Sequence, residues 1–150
     1  SLIDETLTNF NTKRHVRFEK DDNVGTIHTD KFLLHHIVTN LLSNALKYSF
    51  KETEVLLKID KSDKEWINLT IQDHGKGIPE KELNKIFEPF YRASNIDNVS
   101  GTGLGMAIIK HCTDLLSGTL HIDSEIGIGT TVSINIPVSA KKPKANVHEA

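Results

Sequence analysis

What most constrains this chain is the order in which its hydrophobic periods change. Residues 15–21 (HVRFEKD), 53–60 (TEVLLKID), 65–73 (EWINLTIQD), 119–124 (TLHIDS) and 130–137 (TTVSINIP) alternate apolar and polar side chains, the period of two that a strand imposes. Residues 30–48 and 102–116 repeat their apolar positions every three to four residues, as a helix does, and residues 1–9 (SLIDETLTN) read the same way. The order α, β, α, β, β, α, β, β predicts an α+β fold. It is a two-layer α/β sandwich, with a mixed, mostly antiparallel sheet of about five strands covered on one face by about three helices.

Local signals set the boundaries. Asp30 is placed to cap the long helix, whose buried face is Leu34, Val38, Leu41, Leu42 and Ala45. The polar turn 61–64 makes a hairpin of the two runs beside it, Pro79 opens a short helix to Leu83, and Gly118 is a left-handed terminator for the helix that begins near Thr102. Residues 91–101 (YRASNIDNVSG) have no period and read as a mobile loop, and the polar tail reads as a linker. Residues 10–137 are then one domain, 1–9 the end of a preceding helical segment and 138–150 the tail. Beginning at Ser1, the chain reads as a fragment of something longer.

A net charge of −2 makes no case for nucleic acid or an anionic membrane as partner. No apolar run approaches the ~18 to 20 residues of a membrane span, and nothing at the start resembles a signal peptide. The single cysteine, Cys112, rules out an internal disulfide and sits in an apolar helical pattern with Leu104, Ile108 and Leu115, so a buried thiol and a reducing, cytoplasmic setting are expected.

Residues 40–49 read NLLSNALKYS. On a helix, Asn40, Asn44 and Lys47 fall within roughly a 60° arc and Tyr48 about 40° beyond it. Such a stripe could be a solvated face, but the glycines argue for more. Seven of nine lie in three short motifs, DHGKGIP (73–79), GTGLG (101–105) and GIGT (127–130). Turn-making explains the last. It explains GTGLG poorly, because two of its glycines weaken the start of a helix by roughly 1 kcal/mol each. A glycine-rich helix entry exposes N–H groups at the positive end of the helix dipole, which is a phosphate site. The spacing is neither that of a Walker loop nor that of a Rossmann turn.

Together these stretches resemble the catalytic and ATP-binding domain of bacterial sensor histidine kinases, within the superfamily that includes gyrase, MutL-type repair proteins and the heat-shock chaperone ATPases. NLLSNALKYS resembles the N box, DHGKGIP the first glycine box, FEPFYR (87–92) the phenylalanine box, GTGLGMAI the second glycine box and GIGTT the third. The fold so implied is of the Bergerat type, with ATP and Mg²⁺ as ligands. The resemblance makes Asn44 the Mg²⁺ ligand, Lys47 and Arg92 phosphate contacts, and Tyr48 an aromatic face near the base. It makes Asp73 the acceptor for the adenine amino group, with Gly75 and Gly77 keeping side chains clear of the base. The amides of Gly103, Leu104 and Gly105 would cradle phosphate, and Ile78, Tyr91, Gly101, Thr102 and Thr130 complete the nucleotide contacts. Phe87 and Phe90 would dock the loop 91–101 as a lid.

One position separates the branches. Gyrase- and chaperone-type ATPases carry a glutamate one turn before the metal-binding asparagine, and here that residue is Asn40. An amide has no useful basicity near neutral pH, so it can orient a group or hold a metal-bound water but cannot take a proton from water. Phosphoryl transfer to an outside acceptor is thereby favoured over hydrolysis. The resemblance places that acceptor on a histidine of a separate dimerisation domain of the same parent, with a response regulator as the indirect partner. None of the eight histidines here has the acceptor context. The fragment alone is expected to be a monomer without membrane contact, although its parent could be membrane-anchored. An ATP-driven conformational switch and a non-catalytic nucleotide-binding domain are the alternatives.

Overall fold

The computed structural model describes residues 16–25, 27–50, 52–61, 63, 65–91 and 104–139. The expected helix over residues 1–9 and most of the expected loop and tail lie outside the described residues. Among the described residues five strands and two α-helices follow in order: β1 (Val16–Lys20), α1 (Lys31–Tyr48), β2 (Val55–Lys61), β3 (Trp66–Asp73), α2 (Gly105–Leu115), β4 (Thr119–Glu125) and β5 (Gly129–Pro137). They form one sheet in the order β1-β2-β3-β5-β4, parallel between β1 and β2 and antiparallel elsewhere. The expected mixed, mostly antiparallel sheet of five strands is what forms.

Alternation along β3 decides which face the helices cover. Ile67, Leu69, Ile71 and Asp73 are buried and the residues between them are not. With Val55 and Leu57 of β2 and Val132, Ile134 and Ile136 of β5, the apolar ones join a core with Ile37, Val38, Leu41 and Leu42 of α1 and Ile109 and Cys112 of α2. Each large side chain so buried contributes about 1.5–3 kcal/mol. The other face is polar and tied across strands, with Asn68 Nδ2 donating to Ser133 Oγ (3.1 Å) and to Asn135 Oδ1 (3.2 Å). Both helices therefore lie on one side, α1 packed along α2.

Asp30 caps α1 as expected, its Oδ1 accepting from Leu33 N–H at 3.1 Å. Two local expectations are corrected. The helix expected from Pro79 is one turn of 3₁₀-helix, Glu80–Glu82. The left-handed residue after α2 is Ser117, with φ of 60°, rather than Gly118. Gly118 is needed for another reason, since a Cβ there would stand 2.4 Å from the carbonyl oxygen of Asn135. Cys112 is a buried free thiol. Among the described residues no helix is long and apolar enough to cross a membrane.

Candidate functional site

The polar stripe of α1 does not face open solvent alone. It forms one wall of a cavity of about 240 Å³ whose other walls are the start of α2 and the inner face of β3, β4 and β5. The cavity brings together Asn40, Asn44, Lys47 and Tyr48 with Asp73, Gly77, Ile78, Tyr91, Leu104, Gly105 and Thr130. Of the other expected site residues, Gly75 does not line it, and Arg92, Gly101, Thr102 and Gly103 lie outside the described residues. Ile71, Ile122 and Val132 also form its wall. Ile71 and Val132 each stand two residues along a strand from a singled-out polar residue, so the strand period was the signal that could have found them.

At the strand end, Asp73 is 8% exposed and its Oδ1 has no hydrogen-bond partner among the described residues. Burial pushes its carboxyl up from 3.8 to about 6, against the lowering effect of hydrogen bonds from the backbone of Thr130 and Gly75. An acceptor in that condition is open to a donor from a ligand or a water. Beside it, Ile78 N–H donates to Ser124 Oγ (2.7 Å), and that hydroxyl donates to Gly129 O (3.1 Å) and lies 2.8 Å from Thr130 Oγ1. The glycines of this end serve backbone packing. A Cβ at Gly75 would lie 2.1 Å from Tyr48 O, at Gly77 (φ 73°) 2.2 Å from Glu125 O, and at Gly129 (φ 147°) 2.1 Å from Asp73 O. This gives Gly75 and Gly77 a reason separate from the expected one of clearing space for a base: their bare backbones let neighbouring segments close on the stretch after β3.

At the helix end, the Asn40 Nδ2 donates to His36 O at 2.8 Å, which commits one of its two N–H groups and leaves the other and the amide oxygen for a ligand. A Cβ at Gly105 would stand 3.0 Å from both Asn44 Oδ1 and Nδ2, so a glycine at the first position of α2 gives the Asn44 amide its room. Lys47, one turn further on, is exposed at the rim. Tyr91, where the described part of the phenylalanine box ends, donates its hydroxyl to the buried carboxylate of Glu82. Phe90 beside it is 71% exposed with φ of 68°, so among the described residues it is not docked.

The profile of the family described as "Histidine kinase-, DNA gyrase B-, and HSP90-like ATPase" matches residues 29–140. Among curated proteins, the sensor histidine kinase YvrG of Bacillus subtilis is 39% identical over 106 residues, 70% of this chain and 18% of YvrG. The sensor histidine kinase RcsC of Escherichia coli K12 is 32% identical over 123 residues, 81% of this chain and 13% of RcsC. The chain thus spans less than a fifth of the length of either relative. Among solved structures, the mycobacterial sensor histidine kinase MprB superposes with a TM-score of 0.77 at 28% identity, covering 93% of this chain and 95% of that one.

Proposed function

From its membership of the family of histidine kinase-, DNA gyrase B- and HSP90-like ATPases, to whose sensor histidine kinase branch the chain belongs, we propose that it binds MgATP and presents the γ-phosphate to a histidine on a separate dimerisation domain of its parent. The observation that carries this reading is the buried carboxyl group of Asp73, with its Oδ1 unpartnered among the described residues, in the wall of a cavity whose opposite wall holds Asn44 and Lys47. Asp73 accepts from the adenine amino group. Asn44 offers an amide oxygen, the donor type that Mg²⁺ takes alongside phosphate oxygens and water, so the residues fit the ion. Mg²⁺ would neutralise charge on the phosphates. Lys47 meets the polyphosphate as a point charge, and Leu104 and Gly105 bring the N-terminus of α2 to the same cavity; by the resemblance, Gly103 and Arg92 are further phosphate contacts and Gly101 and Thr102 nucleotide contacts. Thr130, Ile78, Tyr48 and Tyr91 enclose the nucleoside.

Transfer forms a bond from the acceptor nitrogen to the γ-phosphorus as the bridging P–O bond breaks and ADP leaves, and it depends mainly on positioning. Asn40 can orient a group at this wall but cannot serve as a hydrolytic base. The isolated chain is therefore expected to bind ATP, hydrolyse it slowly and not label itself from γ-labelled ATP. Adding the parent's dimerisation domain should give an acid-labile label on that domain. Brisk turnover by the isolated chain would instead favour the switch-ATPase alternative.

A further inference from the structure

Asp73, Thr130 and Ser124 stand opposite one another on adjacent strands, Asp73 paired with Thr130 across β3 and β5, and Thr130 with Ser124 across β5 and β4. Opposed residues of antiparallel strands share a face, so the three make one row that runs to the cavity from behind Thr130. Ser124 is not itself part of the cavity wall. Its hydroxyl has one proton and two lone pairs. One lone pair takes the Ile78 N–H at 2.7 Å, the proton goes to Gly129 O at 3.1 Å, and Thr130 Oγ1 lies 2.8 Å away. If the Ser124 proton stays on Gly129 O, the remaining lone pair of Ser124 can accept the proton of Thr130, and all three contacts are satisfied at once. The opposite direction, Ser124 donating to Thr130, would forfeit the bond to Gly129. In the first arrangement Thr130 turns lone pairs alone toward the cavity, on the row that also holds Asp73, whose Oδ1 is unpartnered among the described residues.

We propose that Ser124 is a positioning residue for base selection: by taking the Thr130 proton it makes the Asp73–Thr130 edge of the cavity accept hydrogen bonds and donate none. The proposal rests on the nucleotide-binding reading above. Such an edge suits an exocyclic amino group, which brings two protons. It opposes a carbonyl at the same position, which sets lone pairs against lone pairs and leaves buried acceptors unpaired. Without the Ser124 hydroxyl, the Thr130 proton is free to rotate into the cavity and meet a carbonyl.

The test compares the chain's affinities for ATP and inosine triphosphate, which share phosphates and ribose and differ in the base edge, by titration calorimetry. The unaltered chain should prefer ATP. Ser124→Ala should narrow the ATP-to-ITP ratio by about tenfold, the size of effect expected when a carbonyl gains a donor, while Ser124→Thr, which keeps a hydroxyl, should preserve the ratio. In a Thr130→Val background, Ser124→Ala should leave the ratio unchanged, because there is no threonine proton left to direct. Ser124→Cys, close in volume but a weak hydrogen-bonding partner, should repeat the alanine result and serves if the alanine variant does not fold. Equal losses of ATP and ITP affinity on Ser124→Ala, or a narrowing that persists beside Thr130→Val, would make Ser124 a strut between loops and overturn the proposal. An unaltered chain that binds neither nucleotide would instead refute the nucleotide-binding reading itself.

Discussion

The two ends of the cavity are assembled by different means. Asn40, Asn44 and Lys47 are neighbours because a helix turns once in about 3.6 residues, so three positions of one short segment suffice to build that wall. Asp73, Thr130 and Ser124 are neighbours because three strands hold a fixed register. At the strand end Asp73 is buried and Ser124 and Thr130 are half-buried and hydrogen-bonded to their neighbours, whereas Lys47 at the helix end is exposed. A rigid edge of fixed polarity suits choosing among bases. A more open wall of amides and a flexible lysine suits a metal–polyphosphate group, whose waters and charges can rearrange.

The ends meet at one joint, and the largest effect is expected there. Ser49 bridges to Gly75, Lys76 N–H donates to Tyr48 O at 3.3 Å, and Phe50 N–H to His74 O at 3.0 Å, so the last turn of α1 is fixed to the segment after β3. A Cβ at Gly75 would stand 2.1 Å from Tyr48 O, where the obstacle is backbone and cannot swing aside. Gly75→Ala is expected to lower stability by about 3 kcal/mol, measured by urea unfolding, and to weaken ATP and adenosine alike. Unaltered stability would mean that the two walls are not coupled through this joint.

Next in size is a contrast between the two ends. Asp73→Asn replaces an acceptor with a group that donates toward the adenine amino protons, and should weaken ATP and metal-free adenosine alike by about a hundredfold. Asn44→Ala should weaken MgATP by about tenfold and leave adenosine within about twofold, because it removes a metal ligand and no base contact. If adenosine suffers equally from both substitutions, the division of labour fails and Asn44 is structural.

How legible this site was in the sequence follows from the same division. Asn40, Asn44, Lys47 and Tyr48 could be placed together from helical spacing alone, and the alternation of residues 65–73 already put Asp73 on the face that the helices cover. The row from Asp73 to Ser124 could not be read, because it depends on which residue of β5 stands opposite Asp73, and alternation fixes the face of a residue without fixing its partner. Gly75 and Gly77 were legible as places of close approach, but what approaches them is the backbone of distant segments, information that a glycine does not carry. Gly118 was misread for the same reason: its lack of a side chain serves Asn135 on β5 and the left-handed turn falls to Ser117.

The smallest expected effect separates the ends by titration. Burial holds the Asp73 carboxyl at about 6 against an ordinary 3.8. Below the ordinary value the folded and unfolded chains both hold the proton and no dependence arises from this group. Between the two values the folded chain keeps a proton that the unfolded chain has released, so stability falls as pH rises, and above about 6 the full cost of the buried charge is in force. Adenosine binding should run the other way, because the ionised carboxylate is the better acceptor. Lowering the pH from 7 to 5 should weaken adenosine by about fivefold while stabilising the ligand-free chain. Asp73→Asn has nothing to titrate there and should remove this group's share of both slopes. Asn44→Ala should keep them, since neither Asn40 nor Asn44 gains or loses a proton in this range. Adenosine affinity that stays flat from pH 7 to 5 in the unaltered chain would show that the carboxylate at the strand end is not the acceptor for the base, and the contrast between the two ends would lose its chemical ground.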